Sequence, residues 1–350
     1  MSQLNTRIIS NNCFAKLVKK GRISFGCYIY QDGLEYKDIQ HSVLVCERLG
    51  FDSVWLKDNF IPWMPTYFSN EKEGQKINKE RKSASMLECW TTLSALATMT
   101  KQIRLGAILV NLYRNPAIVA KMFSTLDVIS NGRTEMGLSA GWYEKECQAY
   151  GISFPKGSVR IGMLEESIKI IKKMLCESSE GSCNPSFKGK YYVISNAVCN
   201  PKPIQKPYPP IWIGGGGKQT LKLAATYADG WNYGLCSYNE YLDKLLFLSK
   251  CCRTIGRNYD KLMKGWQGMI IIGKDRNELR DKKRAIVEKT KISNRRMLEF
   301  IIAGTADEIV KELGRYTDKG VNYFTVYFSD LPDLGSLRLF ARYVIPHFRN

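Results

Sequence analysis

The sequence predicts a (β/α)8 TIM barrel with insertions, and three observations carry that expectation. Apolar runs of strand length alternate with helix-spaced apolar stripes from end to end, the signature of a parallel sheet wound with helices. Polar and glycine clusters fall just after the strand-like runs, where such a fold places its ligands. The length of 350 residues suits one barrel domain with its core at 22–345 and insertions near 60–85, 151–208 and 274–300.

The first strand is expected at 22–28, followed by a helix whose stripe Tyr36, Ile39, Val43, Cys46 ends at Gly50, a good helix terminator. The second strand, 52–56, delivers Lys57, Asp58 and Asn59 at its carboxyl end, and the charge-rich stretch to Ser85 reads as an inserted lid over the pocket. A helix over 86–100 precedes strand three, 103–110. Pro116 opens the next helix, where proline is tolerated, and Asn131 and Gly132 close it. Strand four, 134–138, runs into SerAlaGlyTrpTyr. An extra helix carries Ile161, Leu164, Ile168, Ile171 and Leu175 at spacings of three and four. A hairpin at 187–193 and a rigid proline-rich crossing at 201–210 lead to strand five, 211–213, then four glycines and a helix through Leu221, Ala224, Ala225 and Ala228. Strand six is expected at 230–233 and strand seven at 269–272, with the basic segment 274–299 as an insertion. The helix from Ala306, the strand 323–328 and the helix 337–343 complete eight steps.

Eleven cysteines without a CxxC pair read as reduced core thiols, and no signal-peptide or membrane-length apolar run occurs, so the expected location is cytoplasmic. The net charge of +19 would suit nucleic acid, an anionic membrane or acidic small molecules. Its spread among interleaved acidic residues argues against nucleic acid and membrane, leaving a small-molecule substrate, with a homodimer as the allowed self-association. Only two histidines, His41 and His347, are present. No His-based metal site or Ser-His-Asp triad can be assembled from them, so the chemistry must come from a cofactor and no metal is expected.

Three strand-end clusters stand out: 57–59, 138–143 and 214–218. Gly214, Gly215, Gly216 and Gly217 between a strand and a helix let backbone NH groups approach a phosphate at a positive helix end. The alternative is a tight turn with no ligand. The run lacks both the P-loop and the GxGxxG patterns. Asp58 either hydrogen-bonds a cofactor ring or holds a loop. Glu144 or Glu146 is a proton-donor candidate, though the helix dipole alone favours both. Trp63, Trp142, Trp231 and Tyr143 could line a pocket for a flat ring.

The segments at 49–60, 113–121, 129–146, 209–217 and 227–232 resemble, in order, the signature segments of the bacterial-luciferase-like oxidoreductases, most closely the branch dependent on the deazaflavin coenzyme F-420. The resemblance implies a cofactor ring across the barrel mouth, against a bulge with a non-proline cis peptide at Ala107, Ile108 and Leu109. It also implies that Ala140 and Gly141 approach the ring and Gly214 to Gly217 the phosphate, with Asp58 and Asn59 beside the cofactor. Where many relatives have AspHisPhe, this chain has Asp58, Asn59, Phe60. Where sugar-phosphate dehydrogenases of the branch place a catalytic glutamate it has Trp142, and Trp63 matches a tryptophan of those enzymes. Asn59, Trp63, Trp142 and Glu144 are thus the catalytic candidates. The implied activity is hydride transfer between reduced F-420 and a small organic carbonyl, alkene or imine. The alternatives are an FMN-dependent monooxygenase of the same fold and a non-catalytic flavin-binding barrel.

Overall fold

The structure is a computed structural model that describes residues 22–62, 85–176, 185–290 and 301–349. Eight parallel strands close on themselves: β1 (Ser24–Ile29), β2 (Ser53–Lys57), β3 (Arg104–Val110), β4 (Thr134–Ser139), β7 (Ile211–Gly214), β8 (Gly230–Gly234), β9 (Met263–Ile272) and β11 (Tyr323–Phe328), with β11 pairing back to β1. Between β4 and β7, β5 (Phe187–Lys188) and β6 (Val193–Ile194) form the expected hairpin outside the barrel.

Around the sheet run α1 (Tyr36–Arg48), α2 (Cys89–Met99), α3 (Pro116–Ile129), the short α4 (Glu144–Ala149), α5 (Gly157–Leu175), α6 (Lys218–Tyr227), α7 (Tyr238–Thr254), α8 (Arg276–Thr290), α9 (Ala306–Thr317) and α10 (Gly335–Tyr343). Local chemistry sets their ends. Glu35 and Asp38 form a reciprocal cap at the start of α1, the Asn115 side chain accepts from Ala117 N ahead of Pro116, and Asn131 and Gly132 take positive φ after α3. Among the described residues no helix is long and apolar enough to cross a membrane.

Three elements differ from expectation. Strand β9 begins six residues before Met269, because its first half alternates barrel-facing Gly265 and Gln267 with other residues and so shows no continuous apolar run. Helix α7 fills an unassigned stretch, capped by the Ser237 side chain on Glu240 N. The segment expected as a basic insertion contains α8 and leads to a further parallel strand, β10 (Ile301–Gly304), on the carboxyl half of β9, where Met269 pairs with Tyr327 on one edge and Ile301 on the other. Of the lid expected over 66–85, all but Ser85 lies outside the described residues, as does Trp63.

Strand alternation divides the core. Leu105, Ala107 and Leu109 of β3 pack outward in the main cluster beneath the helices, whereas Trp55, Trp212, Tyr28, Tyr323 and Met263 fill the barrel interior. At its centre Arg104 Nε donates to Glu135 Oε1 at 2.7 Å and Trp212 Nε1 to Glu135 Oε2 at 2.7 Å. Trp55 Nε1 donates to Ser53 Oγ at 3.0 Å. Burying charge this deeply is tolerable only because each ion is paired and hydrogen-bonded. Room for the indoles comes from missing side chains: a Cβ on Gly106 would lie 2.6 Å from the Trp55 ring, and one on Gly230 2.3 Å from that of Trp212.

Gly106→Ala should therefore overpack the interior and lower unfolding stability by about 1–3 kcal/mol, measured by denaturant titration. An unchanged midpoint would show that the Trp55 ring can shift without cost.

Candidate active site

The carboxyl ends of the barrel strands surround a cavity of about 300 Å3, at the lower limit for a small-molecule pocket. Tyr28 and Tyr30 line it with rings 4.9 Å apart, and Tyr327 backs Tyr30 at 4.4 Å. Lys57 and Asn59 reach it from β2, Ile108 and Val110 from β3, Ser139 to Trp142 from the end of β4, and Asn232 and Gln267 from β8 and β9.

One wall is the glycine run. Gly214 to Gly217 line the cavity and lead directly into α6, with Gly217 as its N-cap. Gly215 has φ +124°, a conformation that side-chain-bearing residues rarely adopt, and its carbonyl accepts from Trp231 Nε1 at 2.8 Å. A Cβ on Gly216 would fall 2.4 Å from the Tyr233 ring. Gly215 N itself donates to Asn232 O at 3.2 Å, so the donors left for a ligand are the first NH groups of α6, which have no intrahelical partner. Asn232 donates to Gln267 Oε1 at 3.0 Å, and its own Oδ1, in a residue 4% exposed, has no partner among the described atoms. The cavity therefore offers donors at the start of α6 and an acceptor at Asn232, which fits a ligand carrying both phosphate and hydroxyl or NH groups.

The LysAspAsn cluster divides three ways. Lys57 points into the barrel. Its main chain is gripped by the fully buried Gln31, whose Nε2 donates to Lys57 O and whose Oε1 accepts from Lys57 N, both at 3.1 Å. Asp58 points away from the cavity: it accepts from Arg114 NH1 with both oxygens, at 2.9 and 2.8 Å, and from Val110 N at 3.0 Å, while Arg114 NH2 donates to Glu88 at 2.8 Å. Asp58 thus holds the ends of β2 and β3 together, and it is not among the residues that line the cavity. Burial outweighs the ion pair and pushes its carboxyl up to about 6.

Asn59 lines the cavity with its amide nitrogen committed to Glu146 Oε2 at 2.8 Å. Glu146 is fully buried and also accepts from Phe60 N at 2.7 Å, Ile61 N at 2.9 Å and the Tyr113 hydroxyl. Glu144, the candidate two residues earlier, is exposed and accepts from Gln148 Nε2 at 3.2 Å, on the other side of α4 from Glu146. Of the pair it is Glu146 that joins the site, as a clamp on the loop after β2. Trp142 stands at the rim, 47% exposed and stacked 5.0 Å from Tyr143.

The bulge expected at Ala107, Ile108 and Leu109 is absent. Each residue from Leu105 to Val110 pairs in unbroken parallel register with β4, and the cis peptides among the described residues all precede proline. Regular alternation sends Ala107 and Leu109 outward to the core and only Ile108 into the cavity. Ala140 and Gly141 do line it, Gly141 with φ +82°. Tyr30, Asn232 and Gln267 line the cavity without having stood out in the sequence, and Lys57, part of the 57–59 cluster, carried no assigned role there.

Two predictions follow from the carboxylates. Glu146→Gln, which weakens the acceptor for four donors, should sharply reduce hydrogen-exchange protection of the Phe60 and Ile61 amides, and retained protection would refute the clamp. Asp58 has a raised folded-state pKa, so its contribution is fully present below its unfolded value near 4 and is lost as pH rises through about 6. The stability of Asp58→Asn relative to the parent should accordingly improve between pH 4 and 7 in thermal denaturation, and a pH-independent difference would contradict this.

The F420-dependent glucose-6-phosphate dehydrogenase of Amycolatopsis mediterranei (strain U-32) is 26% identical over 345 residues, covering 89% of this chain and 95% of that protein. The phthiodiolone/phenolphthiodiolone dimycocerosates ketoreductase of Mycobacterium bovis (strain BCG / Pasteur 1173P2) is 23% identical over 354 residues, covering 87% and 91%. The structure of an F420-dependent secondary alcohol dehydrogenase in complex with an F420-acetone adduct superposes with a TM-score of 0.77 at 22% identity, over 94% of this chain and 100% of that one. The sequence pattern of luciferase-like monooxygenases matches residues 23–323. With that match spanning most of a closed (β/α)8 barrel, the chain belongs to the luciferase-like monooxygenase family.

Proposed function

We propose that this oxidoreductase holds coenzyme F-420 in the cavity and transfers a hydride between it and a small organic substrate bearing a carbonyl, alkene or imine. The observation that carries the reading is the glycine run, which lines the cavity and ends at the start of α6, where the first NH groups of a helix have no intrahelical partner. A phosphate would be held there by Gly214 to Gly217. Asn232 Oδ1 would accept from a hydroxyl or NH of the cofactor, and Ile108, Ala140 and Gly141 would border its ring. The bound cofactor supplies the hydride; the protein supplies orientation and excludes water. Relatives named for F420-dependent dehydrogenation and for ketone reduction, aligned over nearly the whole chain, support both the cofactor and the substrate class.

Asn59 bears on the direction of the chemistry. A carboxamide accepts and donates hydrogen bonds but neither gives nor takes a proton near neutral pH. With its nitrogen turned to Glu146, Asn59 is suited to orient a ligand group by accepting from it. Trp142 at the rim offers an aromatic face beside the opening.

Equilibrium binding of the purified protein to F-420 and to FMN tests the reading: F-420 should bind at least tenfold tighter. The reverse preference would replace it with FMN-dependent oxygen chemistry, and binding without turnover of any substrate with a non-catalytic role. Gly215→Ala should weaken F-420 binding at least tenfold, about 1.4 kcal/mol, by straining the φ +124° turn. Unchanged affinity would move the phosphate away from the glycines.

A further inference from the structure

Carbonyl reduction needs a proton as well as a hydride, and Asn59 cannot supply it. Of the described residues that line the cavity, Lys57 is the one with a formally charged side chain. It is 2% exposed, its ammonium group forms an ion pair with Asp32 in the loop after β1, and it lies 5.3 Å from the centre of the Tyr30 ring. The neighbouring phenols are poorer donors: burial drives the Tyr28 hydroxyl far above its ordinary range, and the Tyr233 hydroxyl donates to Glu240 at 3.0 Å. Gln31 fixes the Lys57 main chain with two hydrogen bonds and donates a third to Leu87 O at 3.1 Å, so the lysine is held by a rigid support.

We propose that Lys57 is the proton donor for carbonyl reduction in this cavity and that Asp32 is its positioning residue. The assignment rests on the hydride-transfer reading above. The carbonyl carbon gains a hydride, and with it two electrons, from the reduced deazaflavin, which is thereby oxidised. The carbonyl π pair moves to oxygen, and oxygen takes a proton as a Lys57 Nζ–H bond breaks. Lys57 is left as a neutral amine beside the Asp32 carboxylate and regains its proton from water. Asp32 keeps the lysine cationic between turnovers, because a buried carboxylate without its counter-ion is costly. The titratable groups around the ammonium are Asp32, Tyr30 and Tyr28 from β1 and its loop, with Asp58 and Asn59 next in sequence and uncharged Ile108 its register partner on β3.

Three measurements test this. In the cofactor-free protein, the 13Cε resonance of Lys57, identified by its loss in Lys57→Met, should report an ammonium at pH 7, and Asp32→Asn should lower its titration by at least one pH unit. A neutral amine at pH 7 in the parent protein, or no response to Asp32→Asn, overturns the proposal. With reduced F-420 and whichever of a panel of aliphatic ketones and aldehydes the parent reduces fastest, Lys57→Met should lower kcat at least 100-fold with KM within threefold. Lys57→Arg should not restore it, since a guanidinium keeps its protons. Restoration by arginine would show that charge alone matters and would also overturn the proposal. Fluorescence titration of F-420 into the parent and into Lys57→Met separates the two readings. Absence of binding to the parent sinks the cofactor assignment itself. Binding without reduction of any carbonyl sinks only the role of Lys57.

Discussion

A closed eight-stranded barrel has a fixed interior that must be filled, and here two indoles, a phenol and an ion pair fill it. Trp55, Trp212 and Tyr323 converge on Glu135 and Arg104, and the facing strands answer with Gly26, Gly106 and Gly230, where a Cβ would meet the aromatic or hydroxyl groups. Large residues on some strands demand small ones on their neighbours. This plug closes the barrel below the cavity, so a ligand is confined to the strand ends. The polar atoms of Trp55, Trp212 and Tyr323 are all engaged within the plug, which pins the rings in one orientation and gives the cavity a rigid floor.

Above that floor, buried carboxylates perform the joinery. Asp58 ties the end of β2 to the end of β3 and, through Arg114, to the start of α2, where Glu88 caps Thr91 N at 2.6 Å. Glu146 ties the loop after β2 to α4. Both groups face backbone NH donors and cationic or hydroxyl side chains, the environment in which a buried carboxylate is tolerated. The acidic residues nearest the cavity are therefore mostly occupied with architecture, and the proton chemistry passes to a lysine.

Much of the fold was legible because its outward-facing strand residues and helix stripes are apolar and periodic, as in α1, where Ile39, Val43 and Cys46 are all buried. What resisted reading lay in the barrel interior, where size complementarity puts glycine and polar residues in strands. Gly265 and Gln267 hid the first half of β9 for this reason. Helix α7 did carry a usable signal: Tyr241, Leu245, Leu248 and Cys252 keep spacings of four, three and four behind a serine cap. At the site, the glycine run announced itself by position. Glu146 could be separated from Glu144 only by knowing which side of a short helix is covered, and Lys57 from Asp58 only by the phase of β2. A one-residue phase decides which side chain meets a ligand. The same phase puts Ile108 in the cavity and keeps Ala107 and Leu109 out of it.

The way Glu146 is engaged has an evolutionary consequence. Of its four donors, two are the backbone NH groups of Phe60 and Ile61 and one is the Tyr113 hydroxyl, so only one comes from the side chain at position 59. The loop can therefore keep its path while the residue at 59 changes, provided the newcomer offers a single NH at the same reach. Such a position is a socket into which an acid-base residue or an inert amide can be fitted without rebuilding the surrounding wall. A substitution there changes what the wall offers a ligand, while the carboxylate beneath, still held by Phe60, Ile61 and Tyr113, preserves the path of the loop.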